Sequence, residues 1–314
     1  MKSFAYLGPE GTFTEAALNR VPEADGAQQV PLGSVITALN QVRSGEVDAA
    51  VVPIENSVEG GVTATLDAIA SGDELHIIRE VLVPISFMLV GRPDGPRELT
   101  ELHSVATHTH AWAQVRIWAE ANIPNAAYVQ AASTAAGAHG LLDHTTTYDA
   151  AVCAPHLAKK LDLPILAEGI EDTAGAVTRF VVVARAGRLP QPTGSDKTSL
   201  VVPLPEDRPG ALVQIMNQFS TRGVNLSRIE SRPTGEYLGK YFFSIDLEGH
   251  LADERVSAAL AALYRMFPGV RFLGSYPRAE GVPYVIPEYT TDEAYQRGRA
   301  WVRSILDWSP TGDQ

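Results

Sequence analysis

Cysteine is all but missing: Cys153 is the only one in 314 residues. No disulfide can form within the chain, which fits a reducing compartment. Positive charge is scarce as well. Lys and Arg total 25 against 37 Asp and Glu, a formal net charge of −12 at pH 7. A general nucleic-acid binder needs clustered Lys and Arg for phosphate, so the balance argues against that class. The same deficit predicts no long-range steering of an anionic ligand, and any anion site must be built locally. Long apolar runs are lacking too. The longest, Val81–Val90, is broken by Pro84 and Ser86, whereas a membrane helix needs about 20 apolar residues. Met1–Tyr6 runs straight into strand-like sequence, without the charged-then-apolar pattern of a secretion signal. The expected location is the cytoplasm. Low-complexity tracts are missing, 45% of residues are hydrophobic and 20% charged, so a folded chain with a normal core is expected. Its length predicts two domains.

What is present is alternation. Ser3–Leu7 reads as a strand and Gly8-Pro9-Glu10-Gly11 as a turn. Thr12, with Glu15 three residues on, has capping-box spacing and announces a helix. Ser34 caps a second helix with Val35, Leu39 and Val42 on one face, closed by Gly45. Val47–Val52 is a short apolar strand and Thr65–Ala70 a third helix. His76–Val90 predicts one or two long strands bent near Pro84. Then follow strand His103–Thr107, helix Ala111–Ala121, strand Tyr128–Gln130, helix Ser133–Leu142, strand Ala150–Cys153 and strand Thr178–Ala184. Repeated strand–helix–strand units predict an α/β fold with largely parallel sheets. Two runs of them, joined near residues 80–90 and 165–178, predict two lobes with a double crossover. The cleft between such lobes is where a ligand belongs.

Residues 186–197 hold two prolines and two glycines and read as a linker. Strand Ser199–Pro203, helix Pro209–Phe219, strand Val224–Arg232, strand Lys240–Glu248, helix Asp253–Met266 and strand Val270–Tyr276 follow. That order is βαββαβ, a ferredoxin-like unit over residues 198–276. Its first helix is expected to place Leu212, Ile215, Met216 and Phe219 on one face. The tail, residues 277–314, includes an amphipathic helix near Thr291–Trp308 with no legible role.

Thr178-Arg179-Phe180 opens the last strand of the first region, after an irregular stretch of Gly, Asp and Ala. Taken alone, it reads as a strand start with Thr and Arg in solvent. The helix starts at Gly11-Thr12 and Ser133-Thr134 offer free N–H groups and a partial positive end to an anion. Thr12, Ser133 and Thr134 serve equally as simple caps, and the two uses are compatible. Glu55-Asn56-Ser57 follows a buried strand, where open sheets form ligand sites, or it is a plain polar turn. His108-Thr109-His110 lacks a third ligand at metal spacing, and the two side chains diverge if the segment is extended, so no metal is expected. His76, His139, His144, His156 and His250 read as ordinary.

Gly8-Pro9-Glu10-Gly11-Thr12-Phe13-Thr14, Pro53-Ile54-Glu55-Asn56-Ser57-Val58-Glu59-Gly60, Ala132-Ser133-Thr134-Ala135 and Val177-Thr178-Arg179-Phe180 together resemble the prephenate dehydratase family over residues 1–185. The resemblance implies a two-lobed fold like that of periplasmic ligand-binding proteins, with the site in the interlobe cleft. It also implies the decarboxylating dehydration of prephenate to phenylpyruvate in phenylalanine biosynthesis. In that reaction one carboxylate leaves as carbon dioxide, the ring hydroxyl leaves as water, and the ring becomes aromatic. No cofactor and no metal is needed. The departing hydroxyl needs a proton or a strong hydrogen bond, help worth roughly 10²–10⁴-fold. The retained carboxylate must be held. The departing one should escape strong pairing, because its charge disperses in the transition state. The resemblance makes Thr178 the essential hydroxyl, an orienting donor or relay since its own pKa is far too high for an unaided acid. Arg179 becomes a bidentate carboxylate grip, and Phe180 packing or a shield for the ring. Gly11, Thr12, Glu55, Asn56, Ser57, Ser133 and Thr134 are implied to bind substrate. His108 stands at a strand end where the family has a histidine. Ala176 departs from the family pattern, which often has Asn there.

Pro209-Gly210-Ala211-Leu212-Val213 and Ile229-Glu230-Ser231-Arg232-Pro233 resemble the ACT domain attached to prephenate dehydratases. This implies feedback by phenylalanine, bound between ACT domains of two subunits of a homodimer or homotetramer. The implied contacts are Gly210, Ala211, Leu212, Val213, Asn225, Leu226, Ser227, Glu230, Ser231 and Arg232. Gly210 lets backbone or ligand approach closely, whereas Leu212 and Val213 are core if the unit is only a fold. The expected partners are prephenate and phenylalanine, with neither nucleic acid nor membrane. Two other readings stand beside this one. Arogenate dehydratase would make phenylalanine directly. A non-catalytic amino-acid-binding regulator would use the same lobes, and the intact Thr178 triplet counts against it.

Overall fold

The computed structural model describes residues 2–204, 208–233 and 241–307. The chain divides into two compact units. One holds the chain up to Ala68 together with Val81–Arg185; the other holds Ile69–Glu80 and the chain from Ala186 on.

The first unit is built on two sheets. In one the strand order is Gln28–Leu32, Ser3–Leu7, Ala49–Asn56, Val177–Arg185. Ser3–Leu7 is parallel to both neighbours. Val177–Arg185 returns antiparallel to Ala49–Asn56, setting Thr178 opposite Asn56 and Arg179 opposite Glu55. The other sheet runs Ile165–Glu168, Met88–Gly91, Ala150–Cys153, Ser104–Thr107, Ala127–Gln130. Its pairs are parallel around Ser104–Thr107 and antiparallel around Met88–Gly91. Both sheets are thus mixed, where largely parallel ones were expected. The strands that cross between lobes arrive without an intervening helix, so the crossover that forces parallel pairing is missing there. Glu55 and Asn56 also belong to the strand itself, not to a turn after it.

Local signals account for the helix starts. Ser34 Oγ accepts from Thr37 N–H at 3.1 Å, and Gly45 ends that helix, Val35–Ser44, at φ 81°. Its buried stripe is Val35, Ala38, Leu39 and Val42. Helix Phe13–Leu18 begins with Thr12 accepting from Glu15 N–H. Glu15 Oε2 reaches past Thr12 to the Gly11 N–H at 2.5 Å, a capping box shifted by one residue. Strand Gln28–Leu32 had no recognisable signal: it is a half-exposed edge carrying Pro31.

The second unit has an antiparallel sheet in the order Leu226–Pro233, Tyr241–Glu248, Asp196–Leu204, Arg271–Pro277. Helices Ala211–Ser220 and Glu254–Met266 pack Ile215, Phe219, Val256 and Leu263 against Leu200, Val202 and Ile245. This is the expected βαββαβ unit. Its first strand starts at Asp196, so Asp196 and Lys197, read as linker, are buried strand residues. Lys240, the expected start of the third strand, lies outside the described residues, as does Trp308. The core stripe of the first helix is Ala211, Ile215 and Phe219. Leu212 lies about 100° further round the helix and is 41% exposed, Val213 59%; neither is core. Within the same unit Lys197 Nζ meets Glu80 Oε2 at 2.8 Å with both side chains buried. The tail helix, Asp292–Leu306, is capped by Thr291. No described helix is long and apolar enough to cross a membrane.

Candidate active site

Between the two sheets of the first unit lies a cavity of about 390 Å³. From the first sheet's side come Thr12, Phe13, Thr14, Asn56 and Thr178; from the second's, His108, His110, Gln114, Ser133 and Thr134; Ile85 and Phe87 come from a crossing segment. Neither Lys, Arg, Asp nor Glu is among the lining residues. A second groove, about 620 Å³, runs along the tail helix and holds none of the motif residues.

Thr178 is 8% exposed. Its Oγ1 accepts from Asn56 Nδ2 at 2.9 Å. Asn56 Oδ1 in turn accepts from the Val58 N–H at 2.7 Å and the Glu59 N–H at 3.3 Å. Two backbone donors on one end of the amide leave only its NH₂ end to face Thr178, which fixes the amide's orientation. A hydroxyl that accepts there keeps its own hydrogen for another partner.

On the opposite wall Ser133 caps helix Thr134–Gly140, its Oγ accepting from Ala136 N–H at 2.9 Å. His108 caps helix Thr109–Asn122, with Nδ1 accepting from His110 N–H at 3.3 Å. The rings of His108 and His110 stack at 5.2 Å, 9° apart. They were expected to diverge on an extended segment; the helix begins at Thr109 and brings them together. Burial holds the His108 pKa below its ordinary value, His110 adds to this, and Glu59 opposes it. Glu59 joins the walls: its Oε2 lies 3.0 Å from His110 Nδ1, and Gln114 Nε2 donates to its Oε1 at 3.4 Å. Among the described residues no three His, Cys, Asp or Glu are gathered to hold a metal ion.

Of the candidates in this unit, Thr12, Asn56, Ser133, Thr134 and Thr178 line the cavity, whereas Gly11, Glu55, Ser57, Arg179 and Phe180 do not. Arg179 Nη1 pairs with Glu55 Oε2 at 3.2 Å, the guanidinium side chain 7% exposed, so the carboxylate it meets is the protein's own. Ser57 ties down the strand start, its Oγ accepting from Val177 N–H at 2.9 Å. Phe180 is 2% exposed in the core. Gly11 has φ 87°, and a Cβ there would fall 2.4 Å from Leu157 Cδ1. Gln114, Ile85 and Phe87 were not foreseen. Gln114 follows His110 by four residues on one helix face, a spacing visible in sequence. Ile85 and Phe87 look like any core run; Glu171 Oε2 accepts from Phe87 N–H at 3.0 Å and seats that segment.

In the second unit Gly210 begins the helix with φ 82°, and Leu226–Pro233 is one of the sheet's two edge strands. Leu212, Val213 and Ile229 are exposed apolar residues. Glu230 is held by Arg228 Nη1 at 3.4 Å, while Arg228 Nε meets Asp246 Oδ2 at 2.9 Å.

Fold and site define a class: a two-lobed α/β protein whose cleft is walled by hydroxyl, amide and imidazole groups, carrying a βαββαβ module in the same chain. Residues 4–188 match the prephenate dehydratase family, and residues 198–263 match the ACT domain. The chain belongs to the prephenate dehydratase family. A prephenate dehydratase of Amycolatopsis methanolica is 44% identical over 306 residues, 97% of this chain and 98% of the relative. The solved prephenate dehydratase of Arthrobacter aurescens, in complex with L-Phe, is 59% identical with a TM-score of 0.91, covering 98% of this chain and 100% of that one. A solved protein described as a novel type of quorum-quenching acylase is 26% identical with a TM-score of 0.75, covering 88% and 98%.

Proposed function

We propose that this protein converts prephenate to phenylpyruvate, with Thr178 donating a hydrogen bond to the departing ring hydroxyl. The observation that carries the reading is the Asn56–Thr178 contact at 2.9 Å. It occupies the hydroxyl as an acceptor and leaves its hydrogen for a leaving oxygen, which needs no formal charge from the protein. Ser133 and Thr134 offer neutral donors to the carboxylates. A cavity without Lys or Arg suits a carboxylate that sheds its charge as carbon dioxide, because a cation there would favour the ground state over the transition state. Arg179 and Glu55 brace the ladder one position beyond the Thr178–Asn56 pair.

Prephenate is preferred to arogenate because the relatives that match over nearly the whole chain are named prephenate dehydratase. Acyl transfer is disfavoured as well, since a hydroxyl nucleophile needs a base as its partner and Thr178 has an amide donor instead. The ACT module is assigned phenylalanine, bound between subunits of a cytoplasmic dimer or tetramer and contacting Gly210–Val213, Asn225–Ser227 and Glu230–Arg232. Binding there would shift the population away from an active cleft.

The test is turnover of prephenate and of arogenate by the purified full chain in a chelator, without nucleotide. Phenylpyruvate should form, arogenate should react far more slowly, and phenylalanine should slow the prephenate reaction. Absence of phenylpyruvate would reject the assignment.

A further inference from the structure

We propose that His108 is a substrate-binding donor, presenting Nε2–H to a carboxylate oxygen of the bound dianion. This rests on the function proposed above. The tautomer follows from the cap: Nδ1 accepts the His110 N–H at 3.3 Å, so a neutral ring carries its proton on Nε2. Nε2 has no protein partner among the described residues, and the ring lines the cavity.

Four of the other polar residues of the wall are already engaged with the protein. The Thr12 hydroxyl donates to the Leu7 carbonyl at 3.0 Å, and the Asn56 amide faces Thr178. Gln114 donates to Glu59 at 3.4 Å and to the His110 carbonyl at 3.3 Å, while His110 Nδ1 faces Glu59. A dianion entering this cavity meets the hydroxyls of Thr178, Ser133 and Thr134 as unspent donors, and His108 Nε2–H beside them. Capping alone does not explain the residue. Ser, Thr, Asp and Asn are the preferred N-caps, and none of them reaches as far into a cavity as an imidazole. Burial favours the uncharged ring, so His108 donates without the cation that would hold a departing carboxylate back. The partial positive charge at the start of a 14-residue helix adds to the attraction for an anion.

His108→Asn separates the two roles, because Asn retains the cap and loses the distant donor. In the full chain it is expected to raise KM for prephenate about tenfold or more, with the thermal midpoint unchanged. Long-range ¹H–¹⁵N correlation spectra of the wild type should show Nε2 protonated, and added phenylpyruvate should shift that nitrogen. A KM within about twofold of wild type, or a ring protonated at Nδ1 at neutral pH, overturns the proposal. If His108→Asn unfolds, the spectra decide. A wild type inert toward prephenate counts against the function; an active wild type matched by His108→Asn counts against His108 alone.

Discussion

Thr178 and Asn56 meet across one position of an antiparallel pair 122 residues apart in sequence. The orientation of that contact makes a prediction that distinguishes aiming from mere presence. Asn56→Ala leaves the hydroxyl able to turn toward other acceptors, and kcat should fall about tenfold, the worth of one oriented hydrogen bond. Asn56→Asp should be worse, by about a hundredfold or more, because a carboxylate would capture the Thr178 hydrogen and repel a dianion. Steady-state kinetics of both variants check this; equal losses would mean that Asn56 serves packing only. Thr178 was singled out through the resemblance that the four motifs carry together, since the triplet taken alone reads as a strand start in solvent. The partner of Arg179 was not. Which carboxylate a guanidinium meets depends on strand register, and Glu55 lies 124 residues away.

Elements were legible where their signals are local. Thr12, Ser34 and Ser133 all accept from the third residue of the helix they open, since a cap needs only its own next turn. Sheet polarity is set by the long-range path of the chain, so both mixed sheets read as parallel. The face of a helix that turns to the core is intermediate: Ile215 and Phe219 were foreseen, while Leu212 and Val213 were placed by what the sheet leaves uncovered. A comparable long-range constraint sits in strand Arg271–Pro277. Gly274 has φ 133°, and a Cβ there would fall 2.2 Å from the Ile77 carbonyl oxygen. Backbone cannot yield as a flexible side chain can. Gly274→Ala should cost about 2–4 kcal/mol, strain and overpacking together. Gly281→Ala, at φ 63° with nothing near, should cost about 1 kcal/mol. Urea unfolding monitored through the second unit compares them; similar costs for the two would show that the approach of Ile77 is not limiting.

At the scale of the molecule, the switch from two α/β runs to a βαββαβ order was visible in periodicity alone. The membership of Ile69–Glu80 in the second compact unit was not. Its ties to the rest of that unit are long-range: Glu80 forms a buried pair with Lys197, 117 residues away, and accepts from the Ala279 N–H at 2.9 Å, while the His76 ring meets Phe272 at 5.3 Å. The chain therefore carries a cavity in one unit and a candidate effector surface in the other, and two ligands on one molecule are bound by linkage. If phenylalanine weakens occupancy of the cavity by phenylpyruvate, phenylpyruvate must weaken phenylalanine binding by the same factor, typically about 5–150-fold. Titration calorimetry of phenylalanine into the full protein, with and without saturating phenylpyruvate, measures one side of that equality. The reverse titration measures the other. Linkage requires the two factors to agree, so the pair of titrations reads the size of their common value. Phenylalanine affinity indifferent to phenylpyruvate, in an enzyme whose KM for prephenate phenylalanine leaves unchanged while turnover still falls, would place the control on the chemical step, because reciprocity binds equilibrium affinities and leaves kcat unconstrained.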